Sequence, residues 1–335
     1  MTDKAAATGA SPPLPDWFPP WSKELADLYF SGTTCLFLLH GNVHDLVRVP
    51  AGTSDGWCNL PEFLATQLFG NWDVVLHYDL GRGLRPLAGS DPARLQAMVQ
   101  RLSARLGEPG TWPRDPDQAL ALLDRYLERS LVDENDAKRR IAILFAYSQY
   151  LVPAGDLASM ARSDASRLVR LLGWAQNPYL KRANVAFCLI ADKLTELNDR
   201  LVQSPHTAAI HVPLPDVEER RKFVAAARGG SSAQRVADMT SGLSLVNLNV
   251  LLSTRKQDGE AGEATRFREL KKALIERQCQ GLVEFVEPKH TLDLVVGHSA
   301  ACQRLVEDAR WISQGRFDAA PMGYLITGPV GTGKT

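Results

Sequence analysis

The chain has 335 residues, 45% hydrophobic and 23% charged, with 38 Lys and Arg against 38 Asp and Glu. Those are ordinary globular proportions, which exclude wholesale disorder and collagen-like repeats, and the length has room for about two domains of roughly 100–200 residues. A net charge of zero gives no sign of a dedicated nucleic-acid or acidic-membrane binder.

Residues 1–22 are rich in Pro, Ala and Ser and read as a mobile tail, pinned by Trp17, Phe18 and Trp21. They hold no apolar stretch of the signal-peptide kind, and no run in the chain approaches the roughly 18–20 apolar residues that span a bilayer. A helix is expected from Ser22 to about Phe30. Five apolar runs come next, at Cys35–Leu39, Val74–Tyr78, Ile141–Ala146, Val185–Ala191 and Ala209–Val212. Continuous apolar runs suit strands buried on both faces of a parallel sheet. Helix candidates lie between them at about 60–69, 92–106, 117–130 and 157–175. This alternation predicts an α/β fold with a three-layer core over 23–213.

The character changes at Pro213-Leu214-Pro215-Asp216. Asp216 with Glu219 makes a start of capping-box type for a helix through Ala227, and 231–255 carry helical periodicity broken at Ser241-Gly242. Residues 214–256 therefore predict a small helical lid. A polar linker (257–262) and a charged amphipathic helix (263–280) lead out of the lid, within a joining segment that runs from 257 to 290. From 291 something new begins: Asp293–Gly297, a helix from about Ser299 to Ser313, and a buried strand at Met322–Thr327.

That strand runs into Gly328-Pro329-Val330-Gly331-Thr332-Gly333-Lys334-Thr335, which fits the P-loop pattern G-x-x-x-x-G-K-[ST]. Glycines let successive backbone N–H groups turn inward around phosphates. Lys334 supplies a point charge to the β- and γ-phosphates of ATP, and the Thr335 hydroxyl is the expected Mg²⁺ ligand. The helix that normally begins here, and the later strands carrying the metal-holding acids, do not come after Thr335. The sequence therefore reads as a fragment of a longer protein, expected to hydrolyse no ATP by itself.

With this motif, the chain resembles the tandem AAA+ ATPases. LDLVVGHSAACQRLVEDARWI (292–312) resembles the opening of an AAA module, and PMGYLITGPVGTGKT (321–335) its first strand and P-loop. The resemblance implies that Val295, Val296 and Gly297 line an adenine pocket. HVPLPDVEERRKFV and MTSGLSLVNLNVLL resemble the family's core–lid junction and lid helices, so 23–256 reads as a P-loop NTPase-like core plus lid. Its catalytic motifs are missing. His40-Gly41-Asn42-Val43-His44-Asp45-Leu46 comes after the first strand with no G-K-[ST], and Phe145-Ala146-Tyr147-Ser148-Gln149 stands where active members place two acids. Without the Lys there is no phosphate clamp, and without the acids nothing holds Mg²⁺ or activates water. Arg200 is a weak candidate for an arginine finger. The pattern resembles bacterial and plastid tandem AAA proteins with a degenerate first and an active second module, and GLVEFVEP (281–288) adds to it.

The resemblance implies a cytoplasmic ATP- and Mg²⁺-dependent ATPase. It would form a homo-oligomeric ring, six subunits being one size it allows, and act on a protein client, with the first module as scaffold or regulator. A nucleotide-sensing adaptor with negligible turnover is the alternative. A DNA-directed clamp-loader role is disfavoured by the neutral charge and the lack of a basic stripe. Smaller features carry less. Gly81-Arg82-Gly83 reads as a turn rather than a phosphate contact, Arg139-Arg140 as solvated, and Asp133–Asp136 as a polar loop without EF-hand spacing. His40 and His44 lack the intervening Glu of a zinc protease and an evident third ligand. Five scattered Cys with no C-x-x-C read as reduced thiols.

Overall fold

The five apolar runs become β1 (Leu36–Gly41), β4 (Val74–Asp79), β6 (Ile141–Phe145), β7 (Val185–Ala191) and β8 (Thr207–Val212). The computed structural model describes residues 14–51, 54–133, 139–156, 158–228 and 233–253, and a scatter of residues between 267 and 327. By packing it forms two compact units, divided between Lys271 and Lys272.

In the first unit the sheet has six strands in the order β5-β4-β6-β7-β1-β8. All neighbours are parallel except β5 (Gly83–Pro86), which returns antiparallel along β4. Every residue of β6 and β7 is buried, as expected for strands covered on both faces. The register sets Leu38 opposite Leu189 on one side and Ala209 on the other. Helices flank this Rossmann-like core. Helix α5 (Arg162–Gln176) seats Trp174 on Phe187, stacked at 5.0 Å, and anchors its indole N–H on Asp124 at 2.7 Å. Near the start of the chain, Trp17, Phe18 and Trp21 converge on Phe63.

Helix boundaries obey local capping chemistry. Asp91 accepts from Arg94 N before α3 (Pro92–Leu106), and Asp115 from Gln118 N before α4 (Pro116–Val132), each with Pro at the first helical position. Helix α1 (Pro20–Phe30) begins two residues before the expected Ser22, because Pro20 has the φ a first turn needs and no N–H to leave unpaired. Helix α2 (Leu60–Phe63) runs into a π-helical stretch, Leu64–Leu68. Helix α5 starts at Arg162 rather than 157, and the short α6 (Pro178–Arg182) and α7 (Asp199–Val202) complete the core.

Where a helical lid was expected stand α8 (Val217–Arg228), α9 (Ala233–Met239) and α10 (Leu245–Ser253). Asp216 Oδ1 accepts from Glu219 N at 2.8 Å, the cap expected there. Buried Arg220 of α8 donates to Ala237 O of α9 and to Pro215 O, which ties the lid to its own hinge. The described residues of the connecting helix, Phe267, Glu269, Lys271–Ala273 and Glu276, are helical.

One departure stands out. Residues 46–59 form a hairpin, β2 (Leu46–Ala51) with antiparallel β3 (Ser54–Asn59), where no strand was expected. The Gly81–Gly83 segment is the expected turn, leading into β5, with Arg82 N donating to Asp79 Oδ1 at 2.7 Å.

The second unit contains helix Ser299–Ser313. There Arg304 lies over Trp311 and pairs with buried Asp308 at 3.2 Å, and the Tyr324 hydroxyl donates to Asp308. The buried strand expected at Met322–Thr327 is not seen among the described residues of that stretch. Its described residues Gly323, Tyr324, Leu325 and Thr327 are unpaired coil, and Leu325 is 90% exposed. An apolar run becomes a strand only with a partner ladder, and no described strand pairs with this one.

His77, buried in β4, accepts from the Arg85 guanidinium at Nδ1. Burial first, and Arg85 second, push its pKa down to about 4. Between about pH 4 and 6.5 the unfolded chain then binds the extra proton, so His77 contributes stability that is full above pH 6.5 and is lost as pH falls towards 4. The size is at most about 3 kcal/mol. Denaturant titrations of wild type and His77→Asn should show a flatter pH dependence in the variant across that window, and equal slopes would refute the assignment.

Candidate functional site

In an open parallel sheet, ligands bind beyond the carboxyl ends of the strands where the strand order reverses. Here that place is the end of β1, since the chain leaves β1 towards β4 on one side and β8 is laid down on the other. The residues there are Gly41–Asp45, the segment that stands in the position of a P-loop.

Its backbone is already engaged. Gly41 N donates to Asp192 O at 3.0 Å, Asn42 N to Val212 O at 2.8 Å, and Val43 N to Gly41 O at 2.8 Å. A phosphate cradle needs such N–H groups free and converging. Gly41 is required here for another reason. Its φ is +101°, and a Cβ would sit 2.6 Å from Val212 O. The glycine lets β1 end hard against β8 and opens no phosphate nest.

The side chains close the site further. Asp45 is 4% exposed, and its carboxylate accepts from Leu245 N at 2.8 Å, Val246 N at 2.9 Å and Asn42 Nδ2 at 2.7 Å. His44 Nε2 lies 2.6 Å from Asp192 Oδ1, just beyond β7, and its ring stacks on Tyr147, just beyond β6. His40 lies against His211 of β8, and burial, then His211, lowers its pKa. The two imidazoles of the H-x-x-x-H pair thus turn to different neighbours, and no described cluster of His, Cys, Asp or Glu could hold a metal ion.

A cleft of about 140 Å³ remains between this loop, the β2–β3 hairpin and the lid, lined among others by Asn42, Asp45, Arg48, Trp57, Asp216 and Glu219. Ligand pockets run to roughly 300–1,000 Å³. Burial and neighbouring Asp216 push the Glu219 carboxyl up, so the lining already crowds acids together. Three acidic side chains against Arg48 make a poor surface for a triphosphate. The larger hollow over α4 and α5, about 640 Å³, is open, contains no residue from a strand end, and is lined by the Arg170–Asp124–Trp174 group. ATP with Mg²⁺ does not fit the residues at the end of β1.

Beyond β6, Ala146 N is bonded to Tyr78 O, and Ser148 Oγ donates to Phe145 O. Tyr147 has φ 55° and ψ 45°, the one non-glycine residue at positive φ among the described residues. Where catalysis by a P-loop enzyme needs a carboxylate, this chain has a half-exposed phenol that stacks on His44.

Of the other expected site residues, Val295 is 46% exposed, and Gly297 has φ +86°. Val296 and the whole P-loop, Gly328, Pro329, Val330, Gly331, Thr332, Gly333, Lys334 and Thr335, lie outside the described residues. Arg200 is exposed on α7. Sequence reasoning missed Asp45, because its partners on the later helix lie 200 and 201 residues away and no local spacing marks them.

Tyr147 tests the strain at this edge. A left-handed conformation costs an L-residue roughly 1–2 kcal/mol, and a ring pair contributes about 0.5–1.5 kcal/mol. Both Tyr147→Gly and Tyr147→Ala lose the ring, but only Gly relieves the strain. The Gly variant should therefore be the more stable of the two by about 1 kcal/mol in chemical denaturation, and equal stabilities would show that the backbone relaxes.

Among the described residues no helix is long and apolar enough to cross a membrane. A search of curated proteins found no match. Among solved structures, a chain in the HORMA:CdnC:Trip13 complex of E. coli MS115-1 is similar at 11% identity and a TM-score of 0.46, covering 74% of this chain and 80% of that one. Two family models match. "AAA+ chaperone, N-terminal Rossmann-like domain" covers residues 11–213, and "AAA+ chaperone, second helical domain" covers 218–280. With both the sheet core and the helical lid accounted for, the chain belongs to the AAA+ chaperone family.

Proposed function

We propose that the protein carrying this chain is an ATP-dependent AAA+ machine that remodels a protein client, and that the module built from 23–256 is its catalytically silent part. Family membership supports the first statement. The observation that supports the second is the end of β1, where Asp45 and the N–H groups of Gly41, Asn42 and Val43 are already engaged by other groups of the chain. ATP chemistry is then assigned to Gly328–Thr335. The glycines of that segment would cradle the phosphates, Lys334 would carry the positive charge, and Thr335 would hold Mg²⁺. Bound there, MgATP supplies a phosphoanhydride whose hydrolysis drives conformational change. The exposed Val295 belongs to the segment proposed to border the adenine, with Val296 and Gly297.

Assembly into a ring is proposed with it, since a phosphoryl-transfer site commonly draws its stabilising Arg from a neighbour. The first module would then act as scaffold, setting subunit geometry without taking part in hydrolysis.

The test uses the intact protein. Equilibrium binding should give one ATP per chain, and Lys334→Ala should abolish that binding and lower phosphate release by roughly 10²-fold or more. Two ATP per chain would overturn the silent-module reading. Tight binding without phosphate release would replace the machine with a nucleotide-sensing adaptor.

A further inference from the structure

The lid is joined to the sheet by the hinge Val212–Asp216, and something must hold it in place. Three contacts from a single stretch of chain, residues 42–57, do so. Asp45 sits at the start of α10, its Oδ2 accepting from Leu245 N and its Oδ1 from Val246 N, across 200 residues of sequence. These are the first two amides of that helix, which have no partner within it. The carboxylate also meets the positive end of the helix dipole. Asn42 braces both sides of the joint. Its side chain donates to Asp45 at 2.7 Å, while its backbone N–H holds Val212 O at the hinge. Trp57 of β3 then meets Phe223 of α8 edge to face at 5.0 Å. The hairpin that brings Trp57 there starts directly after Asp45, where a P-loop would continue into a helix.

We propose that Asp45 is a built-in anion that latches the lid to the sheet, doing permanently what a bound phosphate would do only when present. This deepens the silent-module reading and rests on it. A buried carboxylate is costly unless its lone pairs are filled. Here three N–H donors and a helix N-terminus fill them, which makes the latch strong. Its removal leaves the amide of buried Leu245 without a partner and gives up the bond to Val246 N. The lid of this module therefore holds its position whether or not ATP is present.

Hydrogen–deuterium exchange on the intact protein, with and without MgATP, tests this. In wild type, peptides covering 217–228 and 245–253 should exchange at the same rate in both conditions. Asp45→Ala should speed exchange in 245–253 by at least about tenfold, with smaller effects in 217–228. Peptides from β1 and β7 should stay protected. Asp45→Asn, which keeps the volume and one acceptor oxygen, should fall between. Unchanged lid exchange in either variant would overturn the latch. So would equal loss of protection in lid and sheet in both variants, since Asp45 would then be an ordinary core residue. A lid that slows on adding ATP to wild type would sink the silent-module reading, while the Asp45 variants would still report on the latch.

Discussion

Burial of β6 and β7 on both faces is the constraint on which the first unit depends. Dry strands leave no water to satisfy backbone groups, so every N–H and C=O must join a ladder. The parallel register from β4 through β8 achieves that. Parallel strands cannot be joined by tight turns, and the crossovers must run over the faces as helices. Trp174 on Phe187 is one of the contacts that seat such a helix. The same geometry gathers the carboxyl ends of β1, β6, β7 and β8 along one rim, where the next residues of each strand must meet.

At that rim the strand ends pack against one another. In a working P-loop protein the strand ends present free amides, a lysine and acids to a ligand. Here Gly41 bonds to Asp192 beyond β7, His44 stacks on Tyr147 beyond β6, and Asn42 bonds to Val212 at the end of β8. Each group faces another group of the same chain. Tyr147 accepts left-handed backbone strain of about 1–2 kcal/mol to sit there.

Much of this was legible in the sequence. The five apolar runs marked the parallel strands because burial on both faces erases alternation. Asp216 with Glu219 marked a helix start because capping is a local interaction. The absence of G-K-[ST] after β1 could be read directly. The hairpin 46–59 could not, because Arg48, Pro50 and Asp55 interrupt its pattern and its apolar partner Phe223 belongs to the lid. Asp45 was opaque for the same reason. A side chain that caps a helix three residues away announces itself by spacing, and one that caps a helix 200 residues away does not. At Met322–Thr327 the described residues are coil. Composition favoured a strand, but strand formation is a property of a pair, and Leu325 stands exposed without one.

The difference between a ligand and a side chain as the lid's fastener is one of thermodynamic form. A lid held by nucleotide is stabilised by RT ln(1 + [L]/Kd), so its position tracks concentration and hydrolysis. A carboxylate on the same chain has a fixed effective concentration and is never consumed. The first arrangement makes a switch, and the second makes a strut. An assembly that couples hydrolysis to movement needs both, because a moving part does work only against one that stays put. On the proposed reading, Asp45 in place of a phosphate adds stiffness where catalysis is absent, which would be a physical reason for a silent module to keep its sheet and the helices after it.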